Sequence, residues 1–347
     1  PPEERKPLDV VGILLSAAGL GMAVYGVLRS GEWGWVLPKP GAPDVAGLSV
    51  TVWLVLAGLV VVRIFFWWEE HRVATGREPL VQTSMLGDRQ LAGGLTMFFF
   101  QFLIQAGLFF TIPLFLSVAL GLSALETGVR LLPLSVTLLL AATGVPRLWP
   151  RASPRRVVTW GLAALLAGII SLVAALEVGA GAAIVTVPLL FAGLGVGALA
   201  SQLGAVTVSA MPDEMSGEVG GLQNTATNLG ASLGTALAGS VLISALTASF
   251  LAGIATNPDV PDAVVQQASV DLAGGIPFLS DESLDQALTD AGVDPTTAQA
   301  VVDENTAARI DGLRISLSVL GLITLVAIFF TRLLPSRPVG ETVQSSA

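Results

Sequence analysis

The chain has 347 residues, of which 53% are hydrophobic and 12% charged, and its mean hydropathy of +0.76 is far above that of a soluble domain. It holds no cysteine and one histidine, which excludes disulfides, thiolate metal sites and cysteine nucleophiles. The net charge of -9 is local, because residues 251–312 hold eleven acids and one arginine. We predict an integral membrane protein that is not an enzyme and needs no cofactor, metal or nucleic acid.

Eight apolar stretches predict transmembrane helices, since about 20 apolar residues cross a bilayer. They cover residues 10–28, 49–68, 91–119, 128–146, 157–176, 183–211, 217–250 and 313–334. The predicted fold class is therefore all-α and integral to the membrane. Between the last two spans, short amphipathic helices are predicted at 261–272 and 281–291. Asp294 and Pro295 predict the N-terminus of a helix that continues into the last span.

Basic and aromatic residues predict the orientation of the spans. With the N-terminus inside, twelve of the seventeen Arg and Lys residues lie at inner connections and helix ends, so both termini are predicted to be cytoplasmic. Trp33 and Trp35 at the outer end of the first span agree with this, as do Trp67 and Trp68 at the inner end of the second. An Arg-rich, Lys-poor composition indicates a bacterial chain, and we predict a multi-pass protein of the bacterial plasma membrane.

The third span carries amides and phenylalanines on one side. A helical wheel places five of them within an arc of about 100°. They are Phe98, Gln101, Phe102, Gln105 and Phe109. Such an arc suits a bulky, apolar and cationic ligand, but amides also hydrogen-bond neighbouring helices, and the two interpretations have equal weight. Gln202 in the sixth span has the same two interpretations.

The stretch at 216–246, which makes up most of the seventh span, has two contrasting arcs. One holds Asn224 and Asn228 among hydroxyls, and it is predicted to face water or a ligand. The other holds small residues at every fourth position, a spacing that lets another helix approach closely. They are Ala226, Gly230, Gly234 and Ala238. A helix of this kind indicates a bundle around an aqueous path, and hence part of a transporter.

Several local patterns occur in a specific order and spacing. They are Leu8-Asp9 with Gly12; Gly31 with Gly34-Trp35; Pro79-Leu80; Ser123, Gly128 and Leu132-Pro133; and Pro212, Gly217, Leu229-Gly230 and Gly234. In these patterns the chain resembles the later part of the fourteen-helix drug:proton antiporters of the major facilitator superfamily. The resemblance implies two inserted transmembrane helices with loops at 1–90, a six-helix C-terminal half at 91–334 that includes an acidic extracellular loop at 251–312, and a cytoplasmic tail at 335–347.

The resemblance also implies a function and partners. The function is proton-coupled export of lipophilic, cationic drugs by alternating access, with the lipid bilayer, protons, such drugs and a missing N-terminal six-helix half as partners. In such folds the first and fourth helices of a half line the cavity, which would bring Gln101, Gln105 and Gln202 together. The fifth helix packs between the halves, which would place the small residues of the seventh span against a helix of the missing half.

Two alternatives stay open at this point. The chain could belong to an exporter of an endogenous metabolite, or it could be a membrane scaffold or sensor that transports nothing. We further expect the principal proton carrier to lie outside this chain, because none of the eight predicted spans contains a central acidic residue.

Overall fold

The computed structural model describes residues 9–77, 79–272 and 275–338, so Leu8, Arg5, Lys6 and residues 339–347 of the predicted tail lie outside the described residues. The described residues form ten α-helices. They are α1 (Val10–Trp33), α2 (Val50–Ala74), α3 (Arg89–Leu114), α4 (Ala124–Leu148), α5 (Pro154–Ala175), α6 (Thr186–Val208), α7 (Ser216–Thr256), α8 (Asp262–Asp271), α9 (Asp281–Asp290) and α10 (Pro295–Phe330). Eight of them, α1 to α7 and α10, are long and apolar enough to cross a membrane, which confirms the predicted fold class.

Short elements connect these helices. Strands β1 (Asp44–Val45) and β2 (Leu48–Ser49) pair antiparallel between α1 and α2. Helix α3 continues into a π-helical turn at Phe115–Ala119. Short 3-10 segments occur between helices at Thr83–Gly87, Ala182–Val185 and Asp213–Met215, and directly after α10 at Thr331–Leu333.

The helix N-termini follow from local capping chemistry. The Asp88 carboxylate accepts the Leu91 N–H at 2.8 Å, and Ser123 forms a capping box with Glu126 at the start of α4. The Asp294 carboxylate accepts the Thr296 N–H at 3.0 Å, and Pro295 occupies the first turn. This confirms the predicted helix that runs from the polar segment into the last span.

Helices α1 and α2 form an antiparallel pair that relies on glycine. A Cβ added at Gly58 would lie 2.6 Å from the Gly19 carbonyl oxygen, which is closer than packed atoms allow. The pair contacts α7 near the end of α1, where the Trp35 indole N–H donates to the Ser240 hydroxyl at 2.9 Å. At its other end the pair continues into the linker that leads to α3.

The other six membrane helices, α3 to α7 and α10, share one buried apolar core. Within it α6 is held between α4 and α5 by its glycines. A Cβ at Gly193 or Gly197 would overlap carbonyl oxygens of α4, and one at Gly195 would lie 2.5 Å from the Gly161 carbonyl oxygen of α5. These glycines therefore let the α6 backbone approach both neighbouring helices closely.

The polar segment between the last two spans packs into a cap, which we define as the described part of residues 251–312. The cap contains the end of α7, helices α8 and α9, and the first half of α10 around its own apolar core. Arg309 is 1% exposed; its guanidinium donates to the Leu279 carbonyl oxygen at 2.7 Å and pairs with Asp281. The segment is therefore mainly helical and tied to α10 by a buried arginine.

Candidate functional site

Two glutamines of α3 bury amide groups without full hydrogen bonding. Gln101 is 3% exposed and Gln105 is half-buried. Within the described part of the chain, the side-chain oxygens of both are buried and accept no hydrogen bond. An unpaired buried polar atom costs about 1–3 kcal/mol. These two acceptors, one helical turn apart, therefore need a donor from water, a ligand or another helix.

Three phenylalanines lie on the same side of α3 as the glutamines. Phe98 is buried, Phe102 is half-buried and Phe109 is 44% exposed. The neighbouring rings of α3 belong to other contacts; for example, Phe100 packs against Phe330 with ring centroids 5.4 Å apart. The amide and aromatic side of α3 thus runs from the protein interior to its surface.

These glutamines and phenylalanines border α6. We call the set Phe98, Gln101, Phe102, Gln105 and Phe109 the α3 face. A Cβ at Gly94 would overlap the Thr207 side chain of α6, and Gln101 follows Gly94 by seven residues, which is two helical turns on the same side. Leu103 marks the opposite side of α3, because it lies two residues, or about 200°, from both Gln101 and Gln105.

Gln202 lies on α6, and its amide donates to the Ser201 hydroxyl at 3.3 Å. One helical turn further along α6, Val206 contacts α3: a Cβ at Gly94 would lie 3.4 Å from its side chain, and the Gln90 amide donates to its carbonyl oxygen at 2.8 Å. The expected grouping of Gln202 with Gln101 and Gln105 stays a prediction.

Asn224 and Asn228 are exposed on α7, as expected for the polar arc. The Asn228 amide donates to the Asn224 carbonyl oxygen at 2.9 Å and to its side-chain oxygen at 3.0 Å. Asn228 lies two residues before Gly230, about 160° around the helix from it. Since Gly230 packs on α3, the asparagines and the α3 face lie on opposite sides of the α3–α7 contact. The structure does not bring them together.

The small-residue arc of α7 packs inside this chain. A Cβ at Gly230 would overlap the Phe99 carbonyl oxygen, and one at Gly234 would overlap the Leu103 carbonyl oxygen. Ala238 is 2% exposed, and its carbonyl oxygen accepts the Ser316 hydroxyl of α10 at 2.9 Å. Ala226 packs half-buried against the same core. The predicted interface with a missing half is therefore corrected: α3 and α10 already occupy this side of α7.

One membrane helix contains a buried acidic residue that the predicted spans do not include. The second span was predicted to end at residue 68, but α2 continues to Ala74 and includes Glu69, which is fully buried. The signal was available, since Glu69 directly follows an apolar run and Asp9 precedes Gly12 at the same end of the pair. No group of three His, Cys, Asp or Glu side chains fit to hold a metal occurs among the described residues.

Comparison with known proteins places these features in a family. Residues 2–235 match the Major Facilitator Superfamily. The tetracenomycin C resistance and export protein of Streptomyces glaucescens is 30% identical over 244 residues, which cover 70% of this chain and 42% of that protein. A puromycin resistance protein of Streptomyces alboniger is 29% identical over 255 residues, which cover 72% and 47%.

A longer match extends over most of the chain. The multidrug efflux pump LfrA of Mycolicibacterium smegmatis is 26% identical over 328 residues, which cover 90% of this chain and 60% of that protein. The matched region thus spans about half the length of these relatives. With eight apolar helices and a family match over most of its length, the chain belongs to the Major Facilitator Superfamily of membrane transporters.

Proposed function

We propose that this chain is the later part of a bacterial drug exporter of the fourteen-helix drug:proton antiporter type. The relatives named above are resistance, export and efflux proteins, and the chain aligns with about half of their length. The whole transporter would then contain a further six-helix half, with which this chain would form the transport path. Expression of the 347 residues alone should accordingly give no drug efflux.

In this proposal α1 and α2, within residues 1–90, are inserted between the halves, and residues 91–334 form the C-terminal half, followed by a cytoplasmic tail. The packing supports the division: α1 and α2 contact each other closely, while α3 to α7 and α10 share one core. Both termini would be cytoplasmic in the plasma membrane, as the distribution of Arg and Lys indicates.

The observation that carries the proposal is the α3 face. Gln101 and Gln105 present two buried acceptor oxygens beside phenylalanine rings. Amide oxygens and aromatic faces both attract a cation, while the rings supply apolar contact area. Lipophilic, cationic drugs are therefore the substrate class that these side chains fit, with the proton gradient as the driving force.

The test is a drug panel on cells that express the longest reading frame containing this chain. Replacement of Gln105 by alanine removes one acceptor from the α3 face without adding volume. We expect Gln105→Ala to lower resistance to some cationic compounds at least several-fold and to leave others unchanged, at an unchanged protein level. Gln267→Ala is the matched control, because Gln267 is an exposed amide in the cap.

Two outcomes would contradict the proposal. A loss of resistance that is equal for every compound and follows the protein level would mean that Gln105 only packs. Resistance that is the same with and without expression of the wild-type protein would argue against drug export.

A further inference from the structure

The end of the α1–α2 pair that holds the start of α1 contains a buried carboxylate. Asp9 is 6% exposed, and its carboxylate accepts the Gly12 N–H at 3.0 Å and the Trp68 indole N–H at 3.2 Å. The Arg72 guanidinium lies 3.3 Å from the same carboxylate. Asp9 therefore has the partners that an ionised carboxylate needs when it leaves water.

Glu69 on α2 is buried more completely and is paired on one side only. It is fully buried, and its Oε2 accepts the N–H of Leu80 at 2.6 Å and that of Val81 at 3.3 Å. Its Oε1 is buried and has no hydrogen-bond donor among the described residues. One oxygen of this carboxyl group is thus tied to the linker that follows α2, and the other lacks a partner.

The unpaired oxygen of Glu69 lies beside the Asp9 carboxylate. A Cβ placed on Gly12 would lie 2.5 Å from Oδ2 of Asp9 and 2.5 Å from Oε1 of Glu69, so both oxygens crowd the same spot beside Gly12. Two ionised carboxylates in such contact repel each other, whereas one shared proton turns the contact into a hydrogen bond. We propose that Asp9 and Glu69 form a proton-binding site, in which a proton on Oε1 of Glu69 is donated to the Asp9 carboxylate.

The surroundings assign the proton to Glu69. Burial opposes the ionisation of Asp9, but the Gly12 and Trp68 hydrogen bonds and the Arg72 charge outweigh it and hold the pKa of Asp9 below its ordinary value. Arg72 is the described cation that faces the pair. The adjacent Glu70 and His71 are exposed on α2. The contact between Asp9 and Glu69 requires glycine at position 12, because a side chain there would overlap Oδ2 of Asp9 and Oε1 of Glu69.

The site is connected to the six-helix bundle through the linker. Beyond the Glu69 contacts at Leu80 and Val81, the Gln82 N–H donates to the Glu218 carboxylate of α7 at 3.2 Å. Met85 is 2% exposed and packs against Leu91 of α3 and Val219 of α7. Loss of the proton leaves two like charges in contact, and we expect this to release Glu69 from Asp9 and to loosen residues 79–88. The inference does not depend on drug export.

Infrared difference spectroscopy of the purified protein in lipid tests the proton directly. We expect the C=O band of a protonated carboxylic acid at neutral pH, which disappears as the pH rises. Glu69→Gln should abolish the band, while Glu70→Gln, the neighbouring exposed acid, should leave it intact. Asp9→Asn should move the band to higher frequency or remove it, because the acceptor loses its charge. A band that Glu69→Gln or Asp9→Asn leaves unchanged, or no band at all, would overturn the proposal.

Hydrogen–deuterium exchange reports the consequence for the linker. After correction for the intrinsic pH dependence of exchange, residues 79–88 of the wild type should be protected at low pH and exchange at least several-fold faster once the proton is lost. Glu69→Gln should keep the protection at every pH, because its amide N–H can donate to Asp9 without a titrating proton. Equal pH dependence in the two proteins would contradict the role of the pair in holding the linker.

Discussion

The two sides of α3 bury their polar atoms in opposite ways. On the Leu103 side, helix backbones meet at Gly230 and Gly234 of α7, and the contact consists of apolar atoms and carbonyl oxygens already used within α3. On the Gln101 side, two amide oxygens are buried without a donor among the residues that the structure describes. The Leu103 side therefore holds the bundle together, whereas we expect the Gln101 side to accept a further partner.

The largest effect is expected on the Leu103 side. Gly234→Leu should force α7 away from α3, because the new side chain meets the Leu103 backbone, which cannot move aside as a side chain can. We expect the free energy of unfolding to fall by about 1–3 kcal/mol, as it does in overpacked cores, and the yield of monodisperse protein to be lower. Thermal unfolding in detergent and gel filtration measure both.

A second glycine of α7 provides the control. A Cβ at Gly239 would lie 3.4 Å from the Phe110 ring, an ordinary contact, so Gly239→Ala should unfold at the wild-type temperature. Gly234→Ala should already be destabilised. If Gly234→Ala and Gly239→Ala behaved alike, the close contact between α3 and α7 would be refuted.

A smaller effect, of opposite sign, is expected on the Gln101 side. Gln101→Leu removes a buried acceptor that has no donor in the described part of the chain, so the free energy of unfolding should stay equal or rise by up to about 1 kcal/mol. Export of cationic compounds by the whole transporter should fall at the same time. A destabilisation of more than about 1 kcal/mol would show that Gln101 has a hydrogen-bond partner and that the α3 face is closed.

The smallest effect is expected at the exposed amides of α7. Asn228→Ala removes a hydrogen bond to Asn224 at the protein surface. The free energy of unfolding of the 347-residue chain should therefore change by less than about 0.5 kcal/mol. If Asn228 contacts substrate in the whole transporter, the substitution should alter selectivity. A clear loss of stability in the isolated chain would mean that α7 is packed on this side as well.

The positions of the helices were predictable because their signals are local. Apolar runs marked the eight spans, and Asp294 with Pro295 marked the N-terminus of α10, since capping and hydropathy depend on a few neighbouring residues. The helix ends were less certain: α7 extends to Thr256, and α2 extends past residue 68 to Ala74.

The partners of each helix face could not be predicted from the sequence. Small residues at every fourth position in α7 indicate that some helix approaches, but Gly230 itself does not identify α3 as that helix. Gln202 was placed beside Gln101 by analogy, whereas its direction depends on how α6 is rotated between α4 and α5. Glu69 directly follows the predicted end of the second span, and it is buried by contacts with the linker and with the start of α1, which the local sequence does not specify.

The continuous helices of the cap have a mechanical consequence. With 41 residues in α7 and 36 in α10, these rods are about 60 and 54 Å long, roughly twice the hydrocarbon thickness of a bilayer. The buried Arg309 couples α9 to α10, so the cap and the two rods should tilt together. A rigid-body rotation of 10° about one end would displace the far tip by about 10 Å. We therefore expect small rotations of the bundle to be magnified at the cap, and a fluorophore placed there would report them at distances suited to energy transfer.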